Sequence, residues 1–299
     1  MNKKVLAVYY TQSGQLKQIL DNFTAPFTQA GITVESVFIQ PKNDFPFPWT
    51  TPKFFDAMPE SVMGIPTDIE PFQCKEPAYD LVIFAYQPWF LSPSIPATSL
   101  LLHPSFQAII KDTPVITLIG SRNMWISAQE RVKSILRSAG AKIVGNVVLM
   151  DRNHNLISVV TIFHWMLSGR KDRYKNIFPY PGVSDKDIRD VEVFGRTAAK
   201  HLTENRLNEL QDALIAQKAV EVHYNLLFIE ERGSKLFRIW AKIILKKKNR
   251  ARWLVYFKYY LLIALFVAAP IILTVFSILF KPFLSRSIKR KKQQYLALN

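Results

Sequence analysis

The sequence predicts an α/β protein built on a doubly wound, five-stranded parallel sheet, followed by a C-terminal amphipathic helix and one membrane helix. Three observations carry that expectation. Short apolar runs rich in Val and Ile recur along the first half: Val5–Tyr10, Thr33–Ile39, Leu81–Tyr86, Val115–Ile119 and Ile143–Leu149. Segments of helical period lie between them, as in a sheet covered on both faces. The third observation is that the positive charge sits at one end of the chain.

The first run leads into a helix with Leu16, Ile19, Leu20, Phe23 and Phe27 on one face. A later segment aligns Ala128, Val132, Ile135 and Leu136, and Gly140 ends it at a turn. Residues 1–232 form one body. The stretch 41–71, rich in Pro and aromatic residues, is an insertion where a second helix would stand. Loops of that length are often functional.

The 299 residues carry 39 Lys and Arg against 23 Asp and Glu, a net charge of +16. Fifteen of the basic residues and none of the acidic ones fall between Gly233 and Asn299, leaving 24 basic against 23 acidic in the body. The basic residues bracket an apolar stretch, which favours anionic lipid headgroups over nucleic acid as the partner. The single cysteine, Cys74, excludes an intrachain disulfide and suits a reducing compartment. No Cys and His grouping has metal-ligand spacing, so no metal is expected.

Residues 233–252 read as a basic amphipathic helix on a membrane surface. At 100° per residue, Lys235, Arg238, Lys242 and Lys246 form one stripe, with Leu236, Ile239, Trp240, Ile243 and Ile244 opposite. Residues 253–281 read as the membrane segment, since Tyr259 to Phe280 is 22 residues without a charge. Residues 282–299 are a basic tail. Both flanks of the segment are basic, so charge does not orient it. Pro270 predicts a kink, and a re-entrant hairpin is the alternative. The opening Met-Asn-Lys-Lys runs into a segment too short for a signal core. The body is therefore expected on the cytoplasmic side of the cytoplasmic membrane.

Sheets of this kind bind ligands beyond the carboxyl ends of their strands. The first strand delivers Thr11, Gln12, Ser13, Gly14 and Gln15 at a helix start, a pattern that suits a phosphate and equally a plain helix cap. The third delivers Gln87, Pro88, Trp89 and Phe90. The fourth delivers Gly120, Ser121, Arg122, Asn123, Met124 and Trp125. Aromatic loops beside a phosphate loop suggest a flat, stacked ligand. After the fifth strand come Asp151, Arg152 and His154. His154 is a candidate acid or base, with Asp151 or Arg152 to orient it. Arg122 is the candidate for holding negative charge.

This arrangement resembles the flavodoxin-like flavoproteins over roughly residues 3–150, and the resemblance implies a closing helix at about 184–217. The resemblance implies FMN, with its phosphate on Thr11 to Gln15 and its ring between the loops at 87–90 and 120–125. Leu16 stands where the family pattern has a hydroxyl. The stretches YYTQSGQL, FFDAMPESV, SRNMWISAQERVKSIL and DRNHNLISVVTIFHWML resemble, more closely, the bacterial dialkylresorcinol condensing enzymes of flexirubin-type pigment biosynthesis. That resemblance implies oxidation of a dialkyl cyclohexane-1,3-dione to a resorcinol, an aromatase reaction, with a ketosynthase of the same pathway as partner. Phe45, Phe47, Trp49, Phe54 and Phe55 would then cover a hydrophobic substrate as a lid, or pack as an irregular crossover. A homodimer would suit many relatives. Rival readings on the same fold are an electron-transfer flavodoxin, a membrane-bound NAD(P)H:quinone reductase and a flavin-free scaffold recruiting partner enzymes. The near-neutral body and the tail oppose the first.

Overall fold

A computed structural model describes residues 3–279 and 285–298. Phe280 and Lys281 of the expected membrane segment, with the start of the basic tail, lie outside the described residues.

The sheet strands are β1 (Lys4–Tyr9), β2 (Thr33–Phe38), β3 (Leu81–Tyr86), β6 (Pro114–Ser121) and β7 (Lys142–Met150), with a small hairpin of β4 (Pro88–Trp89) and β5 (Ser92–Pro93) after β3. Their order is β2-β1-β3-β6-β7, all parallel. This is the flavodoxin-like doubly wound arrangement, whose ligand crevice lies where the strand order reverses, between β1 and β3. The central strand β3 is buried at every residue, whereas the edge strand β2 is largely half-exposed. Burial on both faces explains why β3 reads as an unbroken apolar run.

Helix α1 (Gln15–Gln29) buries Leu16, Ile19, Leu20, Phe23 and Phe27 against one face of the sheet. In the insertion, α2 (Thr51–Asp56) and α3 (Met58–Met63) are short, and Thr50 caps the first by accepting from the Lys53 amide. Helices α4 (Ile95–Leu101), α5 (Pro104–Ile110) and α6 (Ile126–Ser138) contribute to the core on the other face. Next comes α7 (Asn155–Ser168), apolar nearly throughout. The expected single closing helix is three pieces: α8 (Asp185–Asp190), α9 (Glu192–Thr203) and α10 (Leu210–Ala216). Gly195 of α9 lets the helices close up, since a Cβ there would stand 2.1 Å from the Phe23 carbonyl oxygen.

The amphipathic helix, α11 (Tyr224–Lys246), begins nine residues before the expected boundary at 233. Its first turns bury Leu227 and Glu230 against the body, so body and tail share a continuous helix. A long apolar helix follows: α12 (Arg250–Ile263), a π-helical turn (Ala264–Ala268) and α13 (Ala269–Leu279). From Arg250 to Phe276 it is long and apolar enough to cross a membrane. The π-turn ends two residues before Pro270. Proline cannot donate the ordinary backbone bond to the Phe266 carbonyl, and its ring crowds that oxygen. The widened turn is the form this strain takes, and the Ala269 amide donates to Ala264 five residues back. The last helix, α14 (Ser285–Leu296), returns to the body, where Lys291 and the Tyr295 hydroxyl meet Glu231 at 2.9 and 3.1 Å.

Candidate functional site

The loop from β1 to α1 turns at Gly14, whose φ of 82° is left-handed and favours glycine. No side chain caps α1, so the positive end of its dipole is left without a side-chain acceptor, an arrangement that suits an anion. Beside them, the Thr11 hydroxyl oxygen is buried and has no partner in the protein. Gln12 is the strap of the loop. Its amide donates to the Gln87 side chain at 3.2 Å, and its Nε2 donates to the carbonyls of Phe45 and Pro46 at 3.0 and 2.9 Å. One cradle amide is thus already engaged. Gln15 forms a reciprocal pair with the backbone of Val183 at 3.1 Å in each direction, fixing the loop before α8. Leu16, where a hydroxyl was expected from the family pattern, is buried in the core and offers only its backbone.

Beyond β3, Phe90 and Leu91 turn the β4–β5 hairpin with φ values of 48° and 61°. Non-glycine residues in that region carry strain that the surroundings must hold. Aromatic packing holds it here: Trp89 lies edge-on to Trp49 at 5.4 Å and to Phe45 at 5.1 Å, and Phe90 is 5.0 Å from Phe54. Beyond β6, Arg122 donates from Nη1 to the backbone and side-chain oxygens of Asn155 at 3.1 and 2.8 Å. Desolvation lowers the Arg122 pKa to about 10, against which the Asp151 charge pulls upward. The guanidinium stays cationic at neutral pH. The Ser121 hydroxyl, like that of Thr11, is buried without a partner.

These loops floor a cavity of about 590 Å³. Of the residues singled out in the sequence, Gln12, Ser13, Gln15, Trp49, Phe54, Gln87, Pro88, Trp89, Phe90, Gly120, Ser121, Arg122 and Met124 line it. Thr11, Gly14 and Asn123 belong to the same loops but not to the lining. Trp125 is buried in the core under α6, packed among sheet residues. His154 is exposed at the start of α7, outside the cavity. Asp151 is buried and organises the loop, accepting from the Ser158 hydroxyl at 2.7 Å and the Asn153 and Gly182 amides at 2.9 and 3.3 Å. None of these bonds reaches His154, which Asp151 was expected to orient. The aromatic residues of the insertion pack as a unit: Phe45 and Phe47 back Trp49 and Trp89, while Phe55 meets Phe257 of α12.

Two walls were not anticipated. One is α7, through Val159, Ile162, Phe163, Trp165 and Met166. The other is the tail, through Arg232, Gly233, Leu236 and Phe237 of α11 and residues from Tyr260 to Ile272 of the apolar helix. Only the all-round apolarity of TIFHWML gave a signal for the first. Nothing local tied the second to the site.

No family model matches the chain, and no curated protein sequence matches it. Solved structures similar to it include a flavoprotein in complex with FMN from Lactobacillus acidophilus, at 17% identity over 49% of this chain and 93% of that one, with a TM-score of 0.40. A flavodoxin from the domain Archaea aligns at 10% identity over 67% and 99%, with a TM-score of 0.38. The two-electron reduced flavodoxin of Megasphaera elsdenii aligns at 14% identity over 66% and 98%, at 0.33. Scores this low add nothing to the strand order, on which the fold rests.

Proposed function

We propose that the chain is a membrane-associated flavoprotein that binds FMN at the β1–β3 crevice and oxidises a flat, apolar substrate. The observation that carries the reading is the pair of orphaned hydroxyls, Thr11 Oγ1 and Ser121 Oγ, beside an uncapped helix N-terminus. Buried polar atoms are nearly always paired, so two beyond the carboxyl ends of β1 and β6 ask for a ligand's acceptors or donors. The donor set fits FMN. The first turn of α1 and Thr11 would hold the phosphate, and the loops at 87–90 and 120–124 would flank the ring. Bound there, a flavin supplies a two-electron acceptor.

The finer reading is the aromatisation of a dialkyl cyclohexane-1,3-dione to a resorcinol. That conversion removes two electrons and two protons from the ring. The dione is itself acidic, and Arg122 stands at the cavity wall to hold the developing enolate oxygen. Asn155 fixes the guanidinium, and Asp151 accepts from Ser158 on α7, the helix that Asn155 begins. The aromatic and aliphatic walls exclude water. A dinucleotide reductant would need phosphate partners along the cavity, and Arg122 and Arg232 are the only charged side chains among its described lining residues. This favours the aromatase over the NAD(P)H:quinone reductase.

The test uses the full chain loaded with FMN, mixed under anaerobic conditions with a dialkyl cyclohexane-1,3-dione or with NADPH. The proposal expects the dione to bleach the flavin bands with one resorcinol formed per flavin, and NADPH to act far more slowly. Bleaching by NADPH alone would transfer the site to the reductase reading.

A further inference from the structure

We propose that the cavity is filled from one leaflet of an anionic bilayer, through a mouth in the wall made by α11 and the apolar helix. The occupant is an amphiphile with a flat polar head and a long hydrocarbon chain. The head's position rests on the functional reading above; the chain's does not.

Both ends of the apolar helix are fastened to the body. At its start, Arg250 pairs with Asp56 and Glu60 of the insertion. Near its end, Phe276 stacks on Phe228 of α11 with ring centroids 4.0 Å apart, and α14 then returns to Glu231. The 27 residues from Arg250 to Phe276 extend about 40 Å at ~1.5 Å per residue. A helix held to one globular body at both ends lies along it. Its free face therefore meets lipid from one side, as an interfacial element does.

That free face is apolar, with Tyr259, Val267 and Ile271 more than half exposed. Such a patch marks a membrane or protein interface. Its fringe decides for the membrane: Lys235, Arg238 and Lys242 on α11, and Lys246, Lys247 and Arg252 at the junction, are all exposed. Each basic residue near an anionic surface adds to the attraction. No Asp or Glu follows Glu231 in the sequence to offset them.

The inner face of the same helices lines the cavity, and three residues belong to both surfaces. Leu236, Ile263 and Ile272 line the cavity while 43, 61 and 45% exposed. They mark a mouth inside the apolar patch. Behind it the wall is built from Ala264, Ala268 and Ala269, small residues presented by the π-turn. Proline 270 and the alanines together leave room where a regular Leu-rich helix would close against Ile162 and Phe163 of α7. A chain passing from leaflet to groove exchanges one hydrocarbon surrounding for another, so entry carries little transfer cost.

The probe is a resorcinol bearing a fifteen-carbon chain with a diazirine near its end. The full chain, bound to vesicles containing phosphatidylglycerol, is irradiated with the probe, and labelled residues are read by mass spectrometry. The wild type should carry label on Ile162, Phe163 and Leu265. Ala268→Trp should reduce it at least tenfold, while Val267→Trp, on the outer face, should leave it unchanged. Circular dichroism and the flavin spectrum report whether each variant folds, and the wild-type map stands without any variant. Label confined to Val267 and Ile271, with FMN retained, would overturn the leaflet route and spare the flavin reading. Label in the groove of a protein that holds no FMN would support the route and remove the flavin reading.

Discussion

Arg250 forks across Glu60, with Nη1 2.6 Å from Oε1 and Nη2 2.6 Å from Oε2, while its Nε reaches Asp56 at 2.7 Å. This contact joins the start of the apolar helix to the insertion that also carries Trp49 and Phe54 into the cavity wall. Around it, Phe55, Met58 and Val62 of the insertion form one cluster with Leu254, Phe257 and Leu261 of α12. The carboxylates hold the guanidinium's pKa above its ordinary value, Glu60 contributing most.

Replacing Arg250 by Gln should weaken the attachment of α12. The side chains are about a third exposed, so solvent screening limits the effect to roughly 1–2 kcal/mol despite the bidentate geometry. Arg250→Lys should recover little, because an ammonium cannot bridge both carboxylates in one plane. Limited proteolysis at Lys246–Lys248 and the thermal midpoint are the measurements, and both variants should be cut faster than wild type.

Thr11→Val should separate binding from stability. The Thr11 hydroxyl is buried and unpartnered, so its removal leaves the ligand-free protein as stable or slightly more so. FMN affinity should fall about five- to tenfold for the loss of ~1 kcal/mol of hydrogen bonding. Urea unfolding without flavin and fluorescence titration with FMN check the two halves.

Gly182→Ala should damage both. Its φ is +78°, and an added Cβ would stand 2.6 Å from the Trp165 ring and 2.9 Å from Gln15 Oε1. The strain and the clash together should cost about 2–3 kcal/mol. Because Gln15 and Trp165 both line the cavity, FMN affinity should drop with the denaturation midpoint rather than independently of it.

Stability should fall as the pH rises through neutrality. Glu230 is buried on α11, where it accepts from the Ser127 amide at 2.6 Å at the start of α6. Desolvation raises its pKa from 4.5 to about 7, with the nearby Glu231 charge adding to the rise and the Ser127 bonds opposing it. A carboxyl whose folded pKa exceeds its unfolded value binds its proton more tightly when folded. Its contribution is therefore complete below pH 4.5 and is lost as the pH climbs through 7. The loss amounts to roughly 3 kcal/mol at most. Urea titrations from pH 4.5 to 8.5 should show that decline, and Glu230→Gln should flatten it.

The sheet was legible because its inner strands are buried on both faces, and each expected run overlaps a strand with ends within two residues. The turn from β1 into α1 was legible for a local reason too: Gly14 and the hydroxyls sit where a strand passes into a helix. The side of the loop that Trp125 would occupy was not, since an aromatic residue there serves a ligand or a core equally well. The contact between tail and insertion was not legible. Arg250 meets Asp56 and Glu60, 194 and 190 positions earlier, and a contact at that range leaves no periodicity in the chain. The start of α11 at Tyr224 was hidden for the same reason, because Leu227 and Glu230 are fixed by α6 and the body.

The most direct measurement is the visible spectrum of the full chain after incubation with FMN and gel filtration. Flavin bands that travel with wild-type protein, and weaken in Thr11→Val, are the expected result. Colourless protein that is folded by circular dichroism and ignores added FMN would contradict the assignment of the β1–β3 crevice as a flavin site.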